Sequence, residues 1–134
     1  MTDPVYAVEP GLEAAEFGDL LIRSTLAERR PKAAERQARM LAGANLIVTA
    51  RIDGRLVGVA RSLTDFAYCC YLSDLAVDAG LQRGGIGRGL IERTQAEAGP
   101  ECSLILLSAP AAMEYYPKVG FRAAGNCFVI DRER

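Results

Sequence analysis

Histidine is absent from this chain of 134 residues. That excludes Ser-His and Cys-His nucleophile pairs and most zinc sites, so any proton transfer must run through Asp, Glu, Tyr, Cys, Lys or water. No apolar run reaches the ~18 residues needed to cross a bilayer. The N-terminus, Met1-Thr2-Asp3-Pro4, lacks the basic-then-apolar pattern of a signal peptide. A cytoplasmic protein with no membrane partner is expected. An excess of charge of one sign is missing too. Sixteen basic residues against seventeen acidic ones leave a formal charge of −1, which gives no reason to expect nucleic acid as a partner. The four cysteines, Cys69, Cys70, Cys102 and Cys127, form no C-x-x-C pair and mostly sit in apolar runs. They read as buried reduced thiols rather than as disulfide or metal ligands. Repeats and low-complexity linkers are also absent, which predicts one domain over residues 1–134.

What is present is half apolar and one quarter charged, the balance of an ordinary globular protein. Val5 to Glu9 reads as a short strand. Leu12 to about Ser24 reads as a helix with Phe17, Leu20 and Leu21 on its heavy face. Ala27 to Arg30 is a connection. Pro31 at a first helical position and Gly43 at a stop bracket a second helix, with Ala34, Ala38 and Leu41 sharing a face. Leu46–Ile52 and Leu56–Ser62 are rich in β-branched and apolar residues. Asp53-Gly54 between them supplies the positive φ angles of a tight hairpin. Tyr68–Val77 continues as a third antiparallel strand.

After a glycine-dense stretch, Ile86, Leu90, Thr94 and Ala98 share a helical face that Gly99-Pro100 closes. Ser103–Ser108 reads as a buried strand, apolar on both faces. A strand, a crossover helix and an apolar strand predict a parallel pair. Ala111–Val119 reads as a short helix disturbed by Pro117, followed by strand segments at Phe121–Arg122 and Cys127–Ile130. The fold class is α+β, a mixed sheet with helices on both faces.

The chemistry concentrates in Gln82-Arg83-Gly84-Gly85-Ile86-Gly87-Arg88, between a strand and a helix. A first helical turn has amides without intrahelical partners and a dipole that favours an anion. Glycines let a phosphate approach the backbone, and Arg83 and Arg88 offer charge-assisted hydrogen bonds. This arrangement suits a pyrophosphate. A Walker A loop is ruled out, because Gly80 and Gly84 each have a glycine five residues on but no lysine after it. A Rossmann fingerprint fails as well: its third position is Leu90 when counted from Gly85, and Glu92 when counted from Gly87. The remaining alternative to a phosphate site is a tightly packed strand-to-helix turn.

The pattern left, Gln82-Arg83-Gly84-Gly85-Ile86-Gly87, resembles the acetyl-CoA loop of the GNAT superfamily of N-acetyltransferases. The strand before it, Tyr71-Leu72-Ser73-Asp74-Leu75-Ala76-Val77, is similar to that family's strand ending. Tyr115-Tyr116-Pro117-Lys118-Val119-Gly120-Phe121 is similar to its Tyr-x-Lys-Leu-Gly-Phe segment, with Val119 for Leu. The resemblance covers nearly the whole chain and is weakest over residues 1–45. It implies a mostly antiparallel sheet splayed between its fourth and fifth strands, with a pantetheine arm in the gap. Leu75, Ala76 and Val77 would supply backbone groups to that arm. The amides of Gln82, Arg83, Gly84, Gly85, Ile86, Gly87 and Arg88 would hold the pyrophosphate, and Ser108 would stand where the family often has Asn.

The implied reaction is attack of an amine on the thioester of acetyl-CoA, used as co-substrate without a metal. Tyr116 matches the family's general acid in preference to Tyr115, although Pro117 bears on the placement of its hydroxyl. Asp74 is the nearest candidate base, or else a structural carboxylate, and water is the alternative proton carrier. Arg29 and Arg30 sit where the family borders its acceptor pocket, as anion ligands or as a solvated loop, and Asp65, Tyr68 and Tyr71 are further candidates for its lining. The acceptor is a small-molecule or peptide amine, left unidentified. Members of the family often form homodimers. A non-catalytic acyl-CoA-binding sensor with the same fold is the second reading, and a nucleotide-binding protein the third.

Overall fold

The computed structural model describes residues 3–134. Five strands form one sheet in sequence order: β1 (Val5–Val8), β2 (Leu46–Ile52), β3 (Arg55–Thr64), β4 (Cys69–Val77) and β5 (Ser103–Ile105). The first four are antiparallel, and β5 runs parallel to β4. Helices α1 (Ala14–Arg23) and α2 (Ala34–Gly43) cover one face, and α3 (Ile86–Ala98) covers the other. A short helix, α4 (Tyr115–Lys118), follows β5. The α+β fold with helices on both faces is therefore the one expected. No helix among the described residues is long and apolar enough to cross a membrane.

The β2–β3 hairpin forms for the reason the sequence offers. Asp53 (φ 50°) and Gly54 (φ 80°) both lie in the left-handed region, as a two-residue type I′ turn requires. On one face Phe17, Leu20 and Leu21 of α1 and Leu41 of α2 pack on Ile47, Leu56, Val59 and Ala76. On the other, Ile86, Leu90 and Ile91 of α3 pack on Val48, Ala50, Val57, Ala60 and Leu72.

The β3–β4 ladder is interrupted once. Leu72 pairs with Ser62 but Asp74 pairs with Arg61, so β4 carries an extra residue at Ser73. A bulge of this kind reverses which face later side chains reach. Cys70 and Leu72 belong to the α3 side, whereas Ala76, after the bulge, joins the α1–α2 side.

Several boundaries differ from the sequence reading. Helix α2 starts at Ala34, with Ala33 extended at its N-cap, and it buries Gln37 and Leu41 rather than Ala34 and Ala38. Strand β5 ends at Ile105, and Ile105 and Leu107 are half exposed. Its outer edge has no neighbouring strand among the described residues, so an apolar run is not enclosed on both faces. The helix predicted over 111–119 divides into a 3-10 turn at Pro110–Ala112 and α4. The segments 121–122 and 127–130 are not strands. The Phe121 amide turns back onto the Tyr116 carbonyl (3.1 Å) instead of continuing a ladder. Phe128 and Ile130 bury no face that would hold a strand in place. The four cysteines are free thiols as predicted, but only Cys70 is buried.

Candidate active site

Strands β4 and β5 pair only from Cys69 to Tyr71. Beyond that point the second half of β4 has no strand on its β5 side, and residues 106–112 diverge from it. The sheet is thus splayed where the sequence resemblance implied, and a groove of about 800 Å3 opens in the gap. Leu75, Ala76 and Val77 form one wall. Leu106, Leu107 and Ala109–Ala112 form the other, and Tyr116 closes one side.

The β4 edge is available for pairing. The Asp78 amide donates to the Val57 carbonyl on β3 (2.9 Å). Backbone groups alternate along a strand, so the Ala76 amide faces β3 while those of Leu75 and Val77 face the groove. The Val77 carbonyl, on that open side, accepts from the Gln82 side-chain amide (3.1 Å). Gln82 therefore tethers the turn to the strand end. Leu75 and Val77 also pack their side chains toward the α3 core.

The turn after β4 has a closed half and an open half. Asp78 organises the first: its carboxylate accepts from the Gly80 amide (2.9 Å) and its carbonyl from the Leu81 amide (2.8 Å). The Gly84 amide is satisfied by the Leu81 carbonyl (3.3 Å), so it is not free for a ligand. Arg83 (φ 75°) and Gly85 (φ 89°) then turn the chain through left-handed conformations into α3. The first ladder bond of α3 is Gly89 to Gly85 (3.0 Å), and no side chain caps the helix. The amides of Ile86, Gly87 and Arg88 consequently meet no acceptor among the described residues. They lie at the positive end of a thirteen-residue helix, and that donor set fits a diphosphate. The Arg88 guanidinium is instead bound to the Lys118 carbonyl (3.1 Å), which ties α3 to the end of α4. Arg83 is exposed beside the turn.

The two tyrosines of α4 separate cleanly. Tyr116 lines the groove and stacks edge-to-face on Phe121 and on Tyr115, with ring centroids 5.5 and 5.3 Å apart. Burial raises its pKa, the Tyr115 hydroxyl adds to the rise, and the Arg30 charge opposes it. Tyr115 points to the start of α3, its hydroxyl 2.6 Å from where a side chain on Gly87 would begin. Only glycine fits there with Tyr115 as it stands.

Asp74 does not stand free. It is fully buried and receives Arg30 on one carboxylate oxygen and Arg61 on the other. Arg61 also reaches the Met40 carbonyl (3.1 Å) and the Ser73 hydroxyl (3.0 Å), and Arg30 reaches the Ser73 carbonyl (2.8 Å). The carboxylate expected as a candidate base is thus the centre of an ion triad that locks the α1–α2 connection onto the β4 bulge. Ser108 donates to the Ala109 carbonyl (2.7 Å) and does not line the groove. Arg29, Arg30 and Tyr71 line it, whereas Asp65 and Tyr68 do not. Asp65 instead accepts the Ala67, Tyr68 and Cys69 amides in the β3–β4 turn, which holds its pKa at about 2. The Asp74 triad and the Arg88–Lys118 tie went unread because a sequence gives no register between distant segments.

A splayed sheet with a helix N-terminus at one end of the gap and a tyrosine beside it defines a coenzyme A-type acyltransferase scaffold. Residues 13–131 match the family described as the acetyltransferase (GNAT) domain, and the chain belongs to that family. Its members use acetyl-CoA as co-substrate. The chain is 34% identical over 74 residues, 52% of its length, to "Histone acetyltransferase TAP1" of Glycine max, of which the match covers 31%. The chain thus spans under a third of that relative. A candidate acetyltransferase of Deinococcus radiodurans R1 is 25% identical, with a TM-score of 0.75 over 97% of this chain and 93% of that one. A GNAT-family acetyltransferase of Streptococcus pneumoniae TIGR4 has a TM-score of 0.72 at 18% identity over 97% and 99%.

Proposed function

We propose that the protein is an N-acetyltransferase that moves the acetyl group of acetyl-CoA to a primary amine by direct attack. The observation that carries this reading is a continuous path. It starts at Gln82, in the turn that leads into the unpartnered amides of Ile86, Gly87 and Arg88, and runs along the open edge of β4 to Tyr116. Acetyl-CoA supplies the acyl carbon and a thiolate leaving group, so that the products are the N-acetyl amine and free coenzyme A. The α3 amides hold the diphosphate, and Leu75 and Val77 bond the pantetheine arm as an added strand would. Gln82 holds the turn in register through Val77. An outward amide of β4 polarises the thioester carbonyl.

Tyr116 donates the proton that the departing sulfur needs. Burial keeps its hydroxyl protonated at neutral pH, and a hydroxyl within hydrogen-bond reach is an effective general acid. With Asp74 committed to Arg30 and Arg61, the proton lost by the amine leaves through water. The test is thiol release from acetyl-CoA across a panel of amines. Tyr116→Phe should lower kcat by about a hundredfold with KM for acetyl-CoA within about twofold. Binding of acetyl-CoA without turnover across the panel would refute catalysis and favour a non-catalytic acyl-CoA-binding protein. Stabilisation by ATP but not by coenzyme A would refute both.

A further inference from the structure

Past the proposed thioester position, the acceptor end of the groove is lined by arginines. Arg29 and Arg30 come from the α1–α2 connection, Arg36 from α2, Arg61 from β3 and Arg132 from the C-terminal segment. Two carboxylates share that lining, Glu28 and Asp131. Arg30 and Arg61 are already committed to the buried Asp74. Arg36 reaches the Arg134 carbonyl (3.0 Å). The Arg29 and Arg132 guanidiniums make no hydrogen bond or ion pair with a described residue and are exposed to the groove. Glu28 and Asp131 are exposed in the same lining, where five arginines outnumber them.

Resting on the acetyltransfer reading above, we propose that the acceptor is a small primary amine that carries an anionic group, a carboxylate or a phosphate, with Arg29 as its main anchor and Arg132 beside it. A guanidinium presents a planar fork that matches either anion. The same charges disfavour a polycationic acceptor, whose remaining ammonium groups would meet arginines. They also assist the chemistry. Positive charge around a bound amine favours its neutral form, the form that attacks, and the buried Asp74 is committed to Arg30 and Arg61.

The experiment compares matched acceptors with acetyl-CoA, following thiol release and correcting for the neutral fraction of each amine. Leucine and glutamate are set against their α-carboxamides, O-phosphoethanolamine against ethanolamine, and spermidine represents the polycations. The anionic member of at least one pair should have a kcat/KM about tenfold or more above its neutral partner, the scale of one charge-assisted contact, and spermidine should be the poorest. Arg29→Ala should reduce that ratio by about tenfold. The carboxylate and phosphate arms distinguish the two sources of anion. Preference for spermidine or for the neutral partners, or a ratio unchanged in Arg29→Ala, would overturn the inference and leave acetyl transfer standing. No release with any amine would overturn both.

Discussion

Replacing Asp74 by Asn should damage folding far more than chemistry. The side chain keeps its shape, but its amide can no longer accept from both guanidiniums, and a donor faces a donor on one side. Arg61 has 8% of its side chain exposed, so its charge cannot escape to water, whereas Arg30, at 21%, can turn outward. Breaking a buried pair by removing one partner costs about 3–5 kcal/mol. Because Arg61 retains the Met40 carbonyl and Ser73 hydroxyl, the lower end applies, about 3 kcal/mol. An unfolding entropy of about 2.1 cal/mol/K per residue gives about 0.28 kcal/mol/K for a chain of 134 residues. The melting temperature should therefore fall by about 10 °C. Thermal and urea unfolding measure this, and acetyl transfer assayed well below the transition measures the chemistry. Melting within about 2 °C of the parent, together with a kcat loss above about a hundredfold, would refute the structural assignment and make Asp74 the base.

Gly87→Ala should leave the melting temperature nearly unchanged, since alanine favours the helix by up to about 1 kcal/mol. It should nevertheless displace the Tyr115 hydroxyl and weaken coenzyme A by about tenfold, read by calorimetry. Gly58→Ala would bring a methyl group within 2.9 Å of Leu90 and 3.0 Å of Ile86. That overpacking should cost about 1–3 kcal/mol, or about 4–10 °C of melting temperature. Glu9 and Glu16 are held below the usual carboxylate range by hydrogen bonds from Arg51. Their contribution is complete above the unfolded value of about 4.3 and is lost as pH falls through the lowered folded values. Melting temperature should thus be level near neutrality and decline below about pH 4.5, and Arg51→Ala should flatten that decline.

Local signals carried much of this fold into view. Asp53-Gly54 announced its hairpin, Gly99 its helix end, and the glycine turn its position between strand and helix. Each of these is a short-range demand on φ or on unpaired amides, so neighbouring residues suffice to state it. The division of the turn into an engaged Gly84 and open Ile86, Gly87 and Arg88 was not legible, because it depends on how Asp78 folds the chain back. Asp74 looked like a free acid in an apolar strand because Arg30 and Arg61 lie 44 and 13 residues away. Leu104–Leu107 read as fully enclosed because apolarity alone does not say whether a second neighbouring strand exists.

The extra residue at Ser73 bears on how this chain tolerates change. Point replacements in β4 alter one contact at a time. Removing the Ser73 codon would instead make the two halves of the ladder continuous and keep Asp74, Leu75 and Val77 on their present faces, at the loss of the carbonyl that Arg30 holds and the hydroxyl that Arg61 holds. Ser73 is therefore the position of β4 at which a frame-preserving deletion should be tolerated best, its cost being two lost anchors of the arginines rather than an inverted strand.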